Sequence, residues 1–256
     1  MSDPSSILAG ADFQPILSQR AFEEIATQIR KFVSTGKLKP GDRLPAEREL
    51  STQFGVSRNT LREALRSLEI AGLIELRKGS TGGAFIQSGS PNVIVNGLRD
   101  LYHLGAISPK ELTDARVWIE AVVVRIACQR ATRDDIAALE QNVADAEAAA
   151  KKDDYLTRFY TNIRFHSLLG QATHNPILSI VMDGIMEITA QFITAAGPQK
   201  NAYVLPSRRR MMAYIKEGNA DAAEAEMTHH LKRLHRFYLS KLLKPKRPVA
   251  TKASTT

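Results

Sequence analysis

Residues 40–86 read PGDRLPAERELSTQFGVSRNTLREALRSLEIAGLIELRKGSTGGAFI, and this stretch decides the fold of the N-terminal part of the chain. Glycines and prolines divide it into short elements. Gly55 is typical of a helix C-terminus, and Ser57 is a favourable N-cap for a helix over 58–70. Apolar and polar residues alternate after Gly72, which predicts a strand. The stretch therefore predicts two helices joined by a tight turn and followed by a β-hairpin.

Three further predictions complete this domain. Apolar residues at helical spacing place a helix over 20–34, ahead of the quoted stretch. Pro45 is predicted at the first position of the second helix, where proline is tolerated. The hairpin is predicted as a strand over 73–77, a turn over 78–83 and a return strand over 84–87. Three helices followed by a two-stranded ribbon define a winged helix-turn-helix, whose recognition helix enters the major groove of DNA.

The third predicted helix carries a basic stripe. Arg58, Arg62 and Arg66 recur every four residues, away from the leucines that are expected to face the core. A solvated helix surface is the alternative interpretation, but a Gly-rich hairpin with basic residues follows directly. Arginine pairs with guanine through two hydrogen bonds, and small polar side chains contact bases or phosphates. The combination favours a DNA-binding surface.

The quoted stretch resembles the DNA-binding domain of the GntR family of bacterial transcription regulators, without gaps over all of 40–86. The resemblance implies DNA contacts from the second helix, from the start of the third helix and from the tip of the wing. These residues are Arg48, Ser57, Arg58, Asn59, Thr60, Arg62 and Gly79. Arg66 lies further along the helix and is interpreted as a phosphate contact or a solvated side chain.

Composition and charge restrict the class of protein. The net charge is +8, but five basic residues and no acidic residue lie in 241–256, so the charge is weak support for DNA binding. Cys128 is the one cysteine and is predicted to be reduced and buried. No uninterrupted apolar run approaches the ~20 residues of a membrane helix, and the N-terminus lacks the pattern of a secretion signal. These features predict a cytoplasmic protein with no membrane partner.

Composition also divides the chain into five segments. Residues 1–15 are predicted to be a disordered tail, 16–87 the winged helix-turn-helix domain and 88–92 a linker. Residues 93–240 are predicted to form an all-α bundle of six or seven helices, and 241–256 a basic disordered tail. The predicted fold class is therefore mainly α, with one small β-hairpin. The candidate helices of the bundle are 92–104, 108–130, 132–150, 152–172, 176–195, 204–217 and 219–240.

The helical segment resembles the FadR-type effector domain of GntR regulators, known as the FCD domain. The motifs are Leu112-x3-Arg116-x3-Glu120, Phe165-His166 with His174-Asn175-Pro176, and Gly218-Asn219 with Met227-x2-His230-Leu231. The resemblance implies an effector-binding bundle that also dimerises. Many members of that family hold a divalent metal with one Asp and three His, so the resemblance also implies candidate metal-ligand positions in this chain.

Only two of the four metal-ligand positions implied by the resemblance carry the expected residue type in this chain. The Asp position falls on Asn162, and the His positions fall on His166, Arg208 and His230. Arginine stays cationic and repels a divalent ion in a confined pocket. The sequence therefore predicts no metal cofactor, with a weak site of His166, His230 and Asn162 as the alternative.

An anionic effector, such as a carboxylate, fits these residue types better. Guanidinium groups hold carboxylates through charge-assisted hydrogen bonds, and imidazole and amide groups add further donors or acceptors. The predicted effector-binding residues are Arg116, Asn162, His166, Arg208 and His230. Two structural alternatives remain open, a surface ion pair between Arg116 and Glu120 and a solvated patch over 208–210. Trp118 is interpreted as a core residue or a pocket residue.

The predicted function is that of a metabolite-responsive transcription regulator, with a repressor as the first interpretation and an activator as the open alternative. Such a regulator binds a palindromic double-stranded operator as a homodimer, and the effector alters how the two winged domains are spaced on it. A DNA-binding protein without an effector is the first alternative, and an enzyme is the second. No GxSxG, HExxH, P-loop or dinucleotide-binding motif occurs in a suitable context, so no enzyme activity is predicted.

Overall fold

A computed structural model of the chain describes residues 18–79, 81–89, 92–197 and 201–242. The described residues form ten helices and two strands, and they divide between Val93 and Ile94 into two compact units. The mainly α fold class is confirmed. The predicted tail over 1–15 lies outside the described residues.

The N-terminal unit is a winged helix-turn-helix. Its elements are α1 (Ser18–Ser34), α2 (Glu47–Phe54), α3 (Arg58–Ile70), β1 (Ile74–Arg77) and β2 (Gly83–Ile86). The two strands pair antiparallel, with Ile74 opposite Ile86. The core side chains come from every element and include Ile29, Leu61 and Leu68, each with at most 2% of its surface exposed. Burial of these side chains fixes α3 against α1 and leaves its opposite face in solvent.

Local signals in the sequence set the turn between α2 and α3. Gly55 ends α2 with a φ of 65°, the left-handed conformation that glycine adopts without strain. The Ser57 side chain accepts a hydrogen bond from the Thr60 backbone N–H at 3.1 Å and caps α3. The predicted span of α3 is therefore confirmed at both ends.

The predicted start of α2 at Pro45 is wrong, because the helix begins at Glu47. The preceding chain is held as an extended arm beside β2, where the Leu44 N–H donates to the Ala84 carbonyl at 2.8 Å. Proline also disfavours a helical conformation in the residue before it. The chain therefore remains extended through Pro45 before the first turn of α2.

The wing depends on a glycine that has no room for a side chain. A Cβ on Gly82 would lie 2.3 Å from the Arg77 carbonyl oxygen. The Gly82 carbonyl accepts a hydrogen bond from Arg43, and the Arg77 guanidinium lies over the Phe85 ring at 4.3 Å. These contacts hold the two strands and the extended arm together, with Gly79 (φ 100°) at the turn.

The C-terminal unit is an all-α bundle of seven helices. They are α4 (Asn92–His103), α5 (Pro109–Arg130), α6 (Arg133–Lys151), α7 (Tyr155–Ala172), α8 (Pro176–Ala196), α9 (Val204–Lys216) and α10 (Ala220–Leu242). Capping boxes at Ser108 and Thr132 begin α5 and α6. The Asp154 side chain caps α7, which begins three residues later than predicted. The last helix extends two residues into the predicted basic tail, and 243–256 lie outside the described residues.

One helix, α8, is long and apolar enough to cross a membrane by length and composition alone, with a mean hydropathy of 1.4 over Pro176–Ala195. Its buried side chains include Met182, Met186 and Phe192, which belong to the core of the bundle. Packing within the bundle therefore accounts for the apolar character of α8.

The substitution Gly82→Ala tests the close packing of the wing. We expect it to lower the free energy of unfolding by about 1–3 kcal/mol, because a Cβ at this position overlaps backbone. Gly97→Ala is the control, since no atom lies within 4 Å of a Cβ built there and alanine favours a helix by about 1 kcal/mol. Thermal denaturation measures both, and equal stability of the two variants would contradict the packing described for the wing.

Candidate effector cavity and DNA-contact surface

The predicted DNA contacts lie on α2, at the beginning of α3 and at the turn of the wing. They are Arg48, Ser57, Arg58, Asn59, Thr60, Arg62 and Gly79. All of them are exposed except Thr60, which is half-buried. The hydroxyls of Ser57 and Thr60 lie 2.9 Å apart, so these two side chains shape the start of α3. The role of the set in DNA binding stays a prediction.

Glu47 joins this surface through an ion pair that the sequence did not predict. Its carboxylate accepts a hydrogen bond from Arg62 Nε at 2.7 Å and connects α2 to α3. Both side chains remain well exposed, at 42% for Glu47 and 62% for Arg62. An exposed pair contributes about 1 kcal/mol at most, so a phosphate or a base edge can replace Glu47 at low cost. The two residues are 15 positions apart, and no short-range pattern signals the pair.

All five predicted effector residues line one cavity of the C-terminal unit, with a volume of about 230 Å³. Arg116 comes from α5, Asn162 and His166 from α7, Arg208 from α9 and His230 from α10. Sites in helical bundles are commonly built in this way, from side chains on facing helices. Four helices therefore meet at one group of polar side chains.

A buried carboxylate, Glu120, organises the charged end of the cavity. Arg116 Nε donates to Glu120 Oε1 at 2.8 Å, and His166 Nδ1 lies 2.5 Å from Glu120 Oε2. The three side chains are between 1% and 5% exposed. Burial would raise the pKa of Glu120, but the charge of Arg116 and the hydrogen bonds from Arg116 and His166 hold the pKa well below its ordinary value. Glu120 is therefore ionised and compensates one guanidinium.

The second guanidinium, that of Arg208, has no carboxylate partner among the described residues. Its Nη2 donates to the Asn162 main-chain oxygen at 2.8 Å, and its Cζ lies 4.3 Å from the centroid of the Phe165 ring. Burial lowers the pKa of Arg208 to about 9, so the group remains cationic at neutral pH. The direct contacts of this charge are neutral acceptors and an aromatic face, and Glu120 acts on it only from beyond hydrogen-bond distance.

The histidines around the cavity are neutral at neutral pH. Burial lowers the pKa of His166 even though Glu120 opposes the shift, and burial lowers the pKa of His230 well below its ordinary value. Burial also lowers the pKa of His235 to about 3. Two guanidiniums and one carboxylate therefore give the charged end a net positive charge.

These residues do not fit a divalent metal. Of the four positions that the resemblance assigns to metal ligands, only His166 and His230 carry a metal-binding side chain, and Arg208 brings a buried positive charge. The described residues contain no group of three or more His, Cys, Asp or Glu that could hold a metal ion. The residue types in the cavity are better suited to an anion than to a divalent metal.

Several buried polar atoms of the cavity residues lack a hydrogen-bond partner among the residues that the structure describes. They are Arg208 Nε, Asn162 Oδ1 and His230 Nδ1. Buried polar groups in folded proteins are nearly always hydrogen-bonded, to protein, water or ligand. Unmatched donors and acceptors on three helices therefore indicate that the cavity binds a polar group.

The remaining sequence interpretations had mixed outcomes. The pair of Arg116 and Glu120 forms, but it is buried and not at the surface. Arg209 and Arg210 are exposed and pair with glutamates on neighbouring helices, whereas Arg208 is buried, so 208–210 is not one solvated patch. The interpretation of Trp118 as a core or pocket residue is wrong, because 69% of its surface is exposed.

The fold defines a bacterial-type regulator with a winged helix-turn-helix unit and an all-α unit that contains the cavity. Residues 21–86 match the family model for bacterial regulatory proteins of the gntR family, and residues 111–233 match the model for the FCD domain. The chain belongs to the GntR family of transcription regulators and carries an FCD domain.

Relatives and a solved structure agree with this assignment. The chain is 30% identical to an Escherichia coli (strain K12) protein provisionally named as the L-lactate dehydrogenase operon regulatory protein, covering 86% of this chain and 87% of that one. It is 29% identical to the galactonate operon transcriptional repressor of the same strain, over 79% and 90% of the two chains. A solved GntR structure from Streptococcus agalactiae covers 84% of this chain and 99% of its own, with 25% identity and a TM-score of 0.65. The matched proteins are transcription regulators and not enzymes.

The substitution Glu120→Gln tests the buried pair. It leaves the Arg116 guanidinium buried without a counter-charge, so we expect the free energy of unfolding to fall by about 3–5 kcal/mol. Glu140→Gln, the control, breaks an exposed pair with Lys216 and should lower it by less than about 1 kcal/mol. Urea denaturation followed by circular dichroism measures both, and similar losses in the two variants would show that Glu120 has no special role.

Proposed function

We propose that this chain is a DNA-binding repressor controlled by a small carboxylate. The winged unit binds a palindromic operator as part of a homodimer, and the FCD domain binds the carboxylate in the cavity of α5, α7, α9 and α10. The protein acts in the cytoplasm, where its operator is. Binding of the carboxylate changes the affinity for DNA by favouring one arrangement of the dimer.

The observation that carries the effector proposal is the uncompensated charge of Arg208. A buried cation without a carboxylate partner is destabilising, and an anion in the cavity removes that cost. Asn162, His166 and His230 supply further donors and acceptors around the same cavity. The names of these two relatives mention lactate and galactonate, which are both carboxylate anions. The galactonate relative is named a repressor.

The DNA proposal depends on the exposed polar side chains at the beginning of α3. Arg58 and Asn59 extend into solvent from the first turn of the helix, and Arg62 follows one turn later. The N-terminal residues of a recognition helix reach base edges in the major groove. GntR-family regulators bind DNA operators, which agrees with this assignment.

The substitution Arg58→Ala tests the predicted contact with a base. We expect operator affinity to fall by about 1–3 kcal/mol, with relaxed preference at one base pair, because a bidentate pair with guanine is lost. Arg133→Ala removes the same charge from the start of α6 in the other unit and is the control. Fluorescence anisotropy with DNA from upstream of the gene, at fixed salt, measures both. Equal losses in the two variants would mean that Arg58 contributes only net charge.

The substitution Arg208→Met tests the effector site. Wild-type protein is first screened by thermal shift against organic acids that include L-lactate, D-galactonate and 3-phenylpropionate. For an acid that binds, we expect Arg208→Met to weaken affinity by about tenfold or more, because charge-assisted hydrogen bonds are lost. Arg209→Met is the matched control, since its exposed guanidinium pairs with Glu147. Undiminished affinity in Arg208→Met would remove Arg208 from the site.

A further inference from the structure

The cavity changes character along its length. On α7 its lining residues run from Tyr155 through Phe159 to His166, and on α10 they run from His230 through Leu234 to Tyr238. The His166 and His230 rings are neighbours, with centroids 6.4 Å apart. At 1.5 Å per residue, the eight positions from 230 to 238 span about 12 Å. The two helices therefore place a charged end and a tyrosine end roughly 12 Å apart.

The middle of the cavity is apolar. Phe159 and Ile163 of α7, Leu234 of α10 and Ile193 of α8 line it, and none of them offers a hydrogen bond. Phe159, Leu234 and Ile193 are each at most 9% exposed. A ligand with hydroxyl groups along its whole length would lose hydrogen bonds to water there and regain none. A hydrocarbon segment is the chemistry that this part of the cavity fits.

At the far end of the cavity, uncharged hydrogen-bonding groups lie beside the guanidinium of Arg158. Asn201 Nδ2 lies 3.4 Å from the Tyr238 hydroxyl, and Asn201 Oδ1 is buried without a partner in the described part of the chain. The Tyr155 hydroxyl donates weakly, at 3.5 Å, to the Gly197 carbonyl. Burial raises the pKa of Tyr238 to about 12, so its phenol is neutral. Arg158 also lines this end, with its guanidinium 6.0 Å from the Tyr155 ring centroid.

We infer that the effector is an amphipathic monocarboxylate and not a polyhydroxylated acid. Its carboxylate lies between Arg116 and Arg208, its hydrocarbon body fills the middle of the cavity, and an uncharged hydroxyl or carbonyl reaches Tyr238 and Asn201. This inference rests on the proposed function, because it names the class of acid for the same cavity. The inference rests on an unpartnered polar atom at each end, Arg208 Nε and Asn201 Oδ1, and on the apolar wall between them.

Titration calorimetry on the full chain tests the inference with five probes. They are 3-phenylpropionate, 3-(4-hydroxyphenyl)propionate, the neutral 3-phenylpropionamide, adipate and D-galactonate. We expect the hydroxyphenyl acid to bind about two- to tenfold more tightly than the phenyl acid, through one added hydrogen bond. Galactonate should bind at least tenfold more weakly than either, since each methylene buried in the middle of the cavity contributes about fourfold in affinity. The amide should not bind.

A variant at the far end locates the polar contact. Tyr238→Phe should abolish the affinity advantage of the hydroxyphenyl acid over 3-phenylpropionate, so that the two acids bind equally well to this variant. Tyr214→Phe, a half-buried tyrosine outside the cavity lining, is the control and should preserve the advantage. An equal loss of both acids in Tyr238→Phe would overturn the far-end contact.

The remaining outcomes separate this inference from the proposed function. Galactonate that binds as tightly as the aryl acids would overturn the inference and leave a carboxylate-controlled regulator intact. Adipate that binds more tightly than the aryl acids would show a second anion subsite near Arg158. This result would overturn the inference that an uncharged ligand group occupies the far end. Failure of every acid to bind, or tight binding of the neutral amide, would overturn both proposals.

Discussion

The C-terminal unit depends on one buried carboxylate, because Glu120 decides how much positive charge the bundle can hold. It lies between the Arg116 guanidinium and the His166 imidazole, and all three side chains are almost wholly inaccessible to water. A buried ion is stable only when it is paired and hydrogen-bonded. Glu120 compensates one guanidinium, whereas Arg208 is held by neutral groups alone. The positive charge of the cavity follows from this imbalance.

The same imbalance explains why these residues are unsuited to a metal. The resemblance to FCD domains assigns four ligand positions, and here a guanidinium occupies one of them and an amide another. In a low-dielectric site, a fixed cation can attract an anionic ligand as a bound metal ion would. Arg208 therefore supplies from the chain itself the charge that a divalent ion would otherwise bring. The neutral His166 and His230 are left to donate or accept hydrogen bonds.

Local patterns in the sequence predicted the order of the helices and most of their bounds, but not the arrangement of buried charges. The Ser57 cap and the glycine at 55 act over a few residues, so the bounds of α3 follow from them. The Asp154 cap was not predicted, and α7 begins three residues later than expected. The start of α2 was wrong because a pairing with distant β2 holds Leu44 extended. The resemblance to FCD domains and the chemistry of the residue types identified the five cavity residues from the sequence. It could not show that Glu120 is buried or that Trp118 is exposed, since both depend on which face each turn of α5 presents to the other helices.

A bundle with an undercompensated cation is stabilised by the anion that completes it. Any ligand that binds the folded state alone adds RT ln(1 + [L]/Kd) to its stability. Here the groups that would share that ligand come from α5, α7, α9 and α10, so its binding free energy is distributed over four helices. A ligand shifts a conformational equilibrium only by its difference in affinity for the two states. An arrangement that brings Arg116 and Arg208 toward one carboxylate is favoured over one that separates them, and this difference is a physical basis for effector control.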